Sequence, residues 1–190
     1  MHTVFCIIGR TASGKSTIAN AFADKLGLTI LKSYTTRARR KNEVGDKCDH
    51  TFIKPEEVEQ YRNDMVAYTE RAGYCSFATL DQLMQSDIYI INPSGYSDLI
   101  KATANVEGLH LIDVWIDCDE DKLYERSKNR SKNDNWKENY EKEQLEFNTI
   151  YPNVDYSKSY HIDNNNSIWE AVKSIVNIAF LEWGGKNKSC

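Results

Sequence analysis

The run Gly9-Arg10-Thr11-Ala12-Ser13-Gly14-Lys15-Ser16, followed by Thr17, constrains this chain more than any other feature. It has the spacing G-x-x-x-x-G-K-[ST]. Before it lies a β-rich run, Thr3 to Ile8; after it, from Lys15 to Leu26, Ile18, Ala19, Phe22, Ala23 and Leu26 recur at helical spacing. Strand, glycine-bounded loop and helix in that order aim successive backbone N–H groups and a helix N-terminus at one point, an arrangement that can surround phosphate oxygens. Lys15 is then expected to reach the β- and γ-phosphates of ATP, and the Ser16 hydroxyl to join the shell of a bridging magnesium ion, with Thr17 supporting the loop. A glycine-rich turn capping a helix without nucleotide is the competing account.

Beyond this unit, Gly27 stops the first helix and a second strand is expected near Leu28 to Lys32. Ile88 to Ile91 and His110 to Ile116 read as later strands, separated by a helix from about Tyr96 to Asn105. Strands alternating with helices imply a parallel sheet covered on both faces. Between the second strand and Ile88 the pattern changes: a short helix opens on proline, Pro55 to Arg62, flanked by β-like pieces around Phe52 and Met65 to Thr69. That stretch reads as an insertion. Thr79 with Gln82, and Ser167 with Glu170, have capping-box spacing. Asp119 to Lys128 and a second helix through Phe147 are charged, and the polar segment 129–135 between them suits a lid.

Composition narrows the class. At 190 residues, 41% hydrophobic and 27% charged, the chain is one domain's length of globular protein. The opening MHTVFCIIG lacks the flanks of a secretory signal, and no apolar run approaches membrane-spanning length. Cys6, Cys48, Cys75, Cys118 and Cys190 are odd in number and never form a C-x-x-C pair, so they read as reduced thiols, and a cytoplasmic protein without membrane contact is expected. A net charge of −4 argues against a nucleic-acid partner. The local run Arg37, Arg39, Arg40, Lys41 therefore needs a local account. Two guanidinium forks three residues apart, Arg37 and Arg40, can hold a phosphate dianion from two sides, whereas a solvated basic face is the plainer alternative.

GRTASGKST, then SYTTRARRKNE, then DHTF together resemble the guanylate kinase family, most closely from Val4 to Phe52, less through Gly95 and weakly in the last third. The resemblance implies an α/β fold: a P-loop three-layer α/β/α arrangement over 1–190, with a parallel sheet core, an inserted monophosphate-binding lobe and a helical lid. The core would comprise 1–32, 86–125 and 150–185, the acceptor lobe 33–85 and the lid 126–149. It also implies ATP as donor, Mg2+ as cofactor and a small phosphorylated acceptor as the other partner, in a monomer or homodimer.

By the same resemblance, residues 9–17 and Asn164 would bind ATP, and Lys15, Arg126 and Arg130 would act in catalysis. Ser33, Arg37, Arg40, His50, Glu70, Ser76 and Asn92 would hold the acceptor. His50 stands where the family has tyrosine, and Asn92 where it has aspartate. Ala67 stands at the base-reading glutamate, Ser76, Phe77 and Ala78 replace the clamp that follows, and Asn139 or Tyr140 occupies the place of a further lid arginine. Glu70, Tyr74, Ser76 and Thr79 could supply the missing base-site groups. The function implied is phosphorylation of GMP or dGMP. A kinase of another nucleoside monophosphate or of a phosphorylated sugar, and a non-catalytic protein-binding module, are the alternatives.

Overall fold

A computed structural model of the chain describes residues 1–39, 48–71, 73–130, 136–150 and 159–186. Its core is a parallel sheet in the order β6-β1-β7-β8, formed by Ile88–Ile90, His2–Gly9, Leu109–Asp117 and Tyr160–Asp163. β1 pairs with β7 along its whole length, from His2 against Leu109 to Gly9 against Ile116. Alternation along β1 explains why it is central. Phe5 and Ile7 face one apolar cluster with Ile18 and Phe22 of α1 (Lys15–Leu26) and Val172, Ile175 and Ala179 of α6 (Ile168–Lys186). Val4, Cys6 and Ile8 face the other, with Tyr96 and Leu99 of α3 (Pro93–Thr103), Leu83 and Trp115. With both faces covered by helices, the sheet reads in sequence as continuous apolar runs.

The expected strand at 28–32 shrinks to one parallel bridge, Ile30 to Ile88. The backbone does run along β6, with Leu31 N–H donating to Ile88 O at 2.8 Å, but it then leaves for a second sheet. That sheet, in the order β3-β2-β5-β4, comprises His50–Phe52, Ser33–Thr35, Tyr74–Thr79 and Met65–Arg71. Pro55–Asp64 winds as a 3-10 helix without a single buried residue, so no apolar face rewards α-helical packing. Tyr61 from this segment stacks on Tyr34 with centroids 4.5 Å apart, which fastens it to β2.

Thr79 caps α2 (Leu80–Met84) with a reciprocal box to Gln82, as the spacing implied. α3 starts three residues earlier than expected, because Asn92 caps it through Gly95 N–H (3.1 Å) and Pro93 supplies its first turn. Two charged helices, α4 (Glu120–Arg130) and α5 (Trp136–Ile150), flank 131–135. Among the described residues no helix is long and apolar enough to cross a membrane.

Candidate active site

The loop 10–14 leaves the carboxyl end of β1 and turns into α1. Gly14 has φ 95 and Ala12 has φ 66, so two of its residues are left-handed. At Gly9 the constraint is contact: an added Cβ would lie 2.8 Å from Ser13 Oγ and 2.9 Å from Ile116 O. At Gly14 a Cβ would overlap the Asn164 amide. Asn164, after β8, donates its Nδ2–H to Ser13 O at 2.7 Å, so the far end of the chain seals the loop from below. Lys15 lies back over the loop and donates from Nζ to Gly9 O and Arg10 O, both at 2.7 Å.

Above the loop is a cavity of about 790 Å³ lined by Thr11, Ala12, Gly14, Lys15, Ser16 and Thr17, with Asp49, His50, Asn92, Arg126 and Asn164 around its rim. Ser16 Oγ donates to Asp49 Oδ2 at 3.1 Å. Arg126, in the middle of α4, donates to Asn164 O at 2.8 Å and to Cys118 Sγ at 3.3 Å. Its guanidinium therefore sits at the edge of the cavity over the 10–14 loop. Arg130 ends α4, one turn further on.

A second cavity, about 600 Å³, lies beside the first and is lined by Ser33, His50, Glu70, Ser76, Asn92, Ser94 and Glu146 together with Tyr68, Tyr74 and Tyr89. His50, Ile90, Ile91 and Asn92 line both spaces. Ser33 Oγ and His50 Nδ1 are hydrogen-bonded at 2.9 Å across β2 and β3. Ser76 Oγ donates to Thr35 Oγ1 (2.9 Å), and Glu70 accepts from Tyr68 Oη at 3.4 Å. Asn92 is engaged on both ends of its amide, since besides capping α3 it donates from Nδ2 to Glu146 Oε1 at 3.1 Å.

Sequence reasoning thus named residues that the fold gathers around two adjoining cavities. Arg37 lines neither: it donates to Ala38 O at 2.8 Å and lies over the Phe52 ring. Arg40 falls outside the described residues. Asp49, Glu143 and Glu146 were missed. Asp49 is the first residue of the quoted DHTF segment and could have been singled out there, but nothing in the charged run 138–146 distinguishes the two glutamates before the helix is docked.

A parallel sheet whose first strand runs through a glycine-bounded loop into a helix, with a second small sheet and two charged helices, is the α/β fold of the P-loop kinases. Within that class the fold is guanylate-kinase-like. The chain superposes on guanylate kinase from Anaplasma phagocytophilum with a TM-score of 0.66 at 20% identity, covering 95% of this chain and 86% of that one. It also superposes on a gluconokinase from Sinorhizobium meliloti 1021, with a TM-score of 0.55 at 16% identity, covering 99% and 98%. No protein-family model matches the chain, and no curated protein matches it.

Proposed function

We propose that this protein is an ATP-dependent kinase that transfers the γ-phosphoryl group to a small phosphorylated acceptor, with a guanine nucleoside monophosphate, GMP or dGMP, as the leading candidate. The observation that carries the reading is the shared wall. His50 and Asn92 border both the cavity over the 10–14 loop and the cavity of Ser33, Glu70 and Ser76, so donor and acceptor would occupy adjoining spaces.

Phosphoryl transfer asks a protein chiefly to hold two anions in line and to neutralise charge. The loop amides and Lys15 would take the β- and γ-phosphates, and Asn164 would border the nucleoside end. Arg126 and Arg130 would bring positive charge from the lid 126–149. Ser33, His50 and Arg40, in the lobe 33–85, would hold the acceptor phosphate, and the core 1–32, 86–125 and 150–185 would carry both sites. Excluding water when the lid covers the cleft favours transfer over hydrolysis.

The residues also fit magnesium. Neighbouring corners of an octahedron with bonds of about 2.0–2.1 Å lie about 2.9 Å apart, and Ser16 Oγ and Asp49 Oδ2 are 3.1 Å apart. Ser16 directly, and Asp49 directly or through water, would hold the ion. When bound it would supply charge neutralisation on the β- and γ-oxygens.

A phosphorylated sugar is the second reading, favoured by the hydroxyl-rich acceptor cavity, where Ser33, Thr69, Ser76 and Ser94 stand beside two carboxylates. An ADP-release assay over nucleoside monophosphates and sugar phosphates tests both. Turnover with GMP supports the first, turnover restricted to sugar phosphates the second, and no ATP-dependent turnover with any acceptor rejects the kinase assignment.

A further inference from the structure

Helix α5 reaches the phosphate loop with a buried carboxylate. Glu143, 8% exposed, accepts the backbone N–H of Thr11 at 2.8 Å and also accepts from the Thr11 hydroxyl. The next residue, Ala12, is left-handed with φ 66, a conformation that a Cβ disfavours and that persists only where neighbours over-determine the backbone. Both neighbours are anchored here. Thr11 is held by Glu143, and Ser13 by the Asn164 amide on its carbonyl.

The same helix grips the preceding residue. The Arg10 guanidinium lies 4.6 Å from the Phe147 ring centroid and 5.3 Å from that of Tyr140. Its Nη1 is buried and has no hydrogen-bond partner among the described residues, so the ring faces are what hold it. Tyr140, Glu143 and Phe147 are spaced i, i+3 and i+7 and therefore share one face of α5. One helix face thus binds two consecutive loop residues, and 132 positions of chain separate Thr11 from Glu143.

We propose that Glu143 is a positioning residue for the phosphate loop. It holds Ala12 in its left-handed conformation, so that the amides after it point into the cavity before nucleotide arrives, and it makes that shape depend on the helix that follows the lid. This rests on the reading that the loop binds ATP. A carboxylate suits the task because it accepts both Thr11 donors at once and charge strengthens each bond. Glu143→Gln keeps the size but removes the charge and leaves one acceptor oxygen, so Thr11 loses the charge-assisted pair even where its hydroxyl turns to accept from the amide.

The test is calorimetric titration of MgADP into the unaltered protein, E143Q, A12G and the double variant, with the unliganded melting temperature read in parallel. E143Q is expected to weaken MgADP about tenfold. In the A12G background, where the left-handed conformation carries no Cβ penalty, the same substitution should cost about threefold or less. Thr11→Val removes only the hydroxyl leg and should act in the same direction with smaller effect, which covers failure of E143Q to fold. Equal loss in both backgrounds overturns the proposal, as does E143Q or T11V binding MgADP like the unaltered protein. Absence of MgADP binding to the unaltered protein overturns the nucleotide-site reading and this proposal with it, an outcome distinct from the other two.

Discussion

The side-chain amide of Asn164 donates to the carbonyl of Ser13 at 2.7 Å, which joins the turn after β8 to the 10–14 loop across 151 positions of chain. Both residues are buried, so no water stands ready to replace the bond. Asn164→Ala leaves the Ser13 carbonyl unsatisfied and opens the floor of the loop. The expected cost is about 1–3 kcal/mol of stability together with weaker MgATP binding, measured by denaturant melts with and without nucleotide.

Asp49→Asn removes the carboxylate beside Ser16 in the cavity over the 10–14 loop while preserving its shape. Magnesium should then enhance ATP affinity about tenfold less than in the unaltered protein, with metal-free ATP binding unchanged or tighter. Titrating ATP with and without magnesium separates the two effects. An unchanged magnesium dependence would remove Asp49 from the metal's surroundings.

Lys15→Ala removes the amine that the proposed function sets against the β- and γ-phosphates. We expect turnover to fall by about 10²–10³-fold or more, and heat stabilisation by ATP to shrink, while the unliganded melting temperature stays near that of the unaltered protein. Full turnover in this variant would rule out the loop as the donor site.

His50→Ala breaks the bond to Ser33 on the wall common to both cavities. It should raise the acceptor KM about tenfold while leaving the affinity for ATP in the absence of acceptor within about twofold. Arg40→Ala should act on the acceptor in the same way. Steady-state kinetics on both substrates distinguish this from a general loss of structure, which would weaken both.

Tyr160 donates to Glu182 Oε1 at 2.6 Å, pinning β8 to the last helix. That hydrogen bond, and burial second, push the phenol up to about 12 from its ordinary value of 10.0. Because the folded-state value is the higher one, the contribution is complete below pH 10 and disappears as pH rises through about 12. The stability difference between the unaltered protein and Tyr160→Phe should therefore narrow over that window in pH-dependent melts.

Elements carried by local signals were legible in the chain. The 9–17 loop, the helix behind it, the apolar strands 88–91 and 110–116, and the Thr79 cap each depend on residues within a few positions of one another. Misplacements occurred where a distant partner decided. Residues 28–32 are as apolar as a strand, yet only Ile30 pairs, since the chain is turning toward the second sheet. Asn92 was singled out as an acceptor-binding position, and its side chain also starts α3.

The order of residues alone determined the strand-loop-helix unit and the placement of Lys15 and Ser16 at its turn, because that pattern is written in short spacings. Only the folded chain decided that Asp49 comes beside Ser16, that Glu143 and Asn164 bond the two neighbours of Ala12, and that His50 and Asn92 border both cavities. Those relationships join segments dozens to more than a hundred positions apart, and nothing local to either segment encodes its partner.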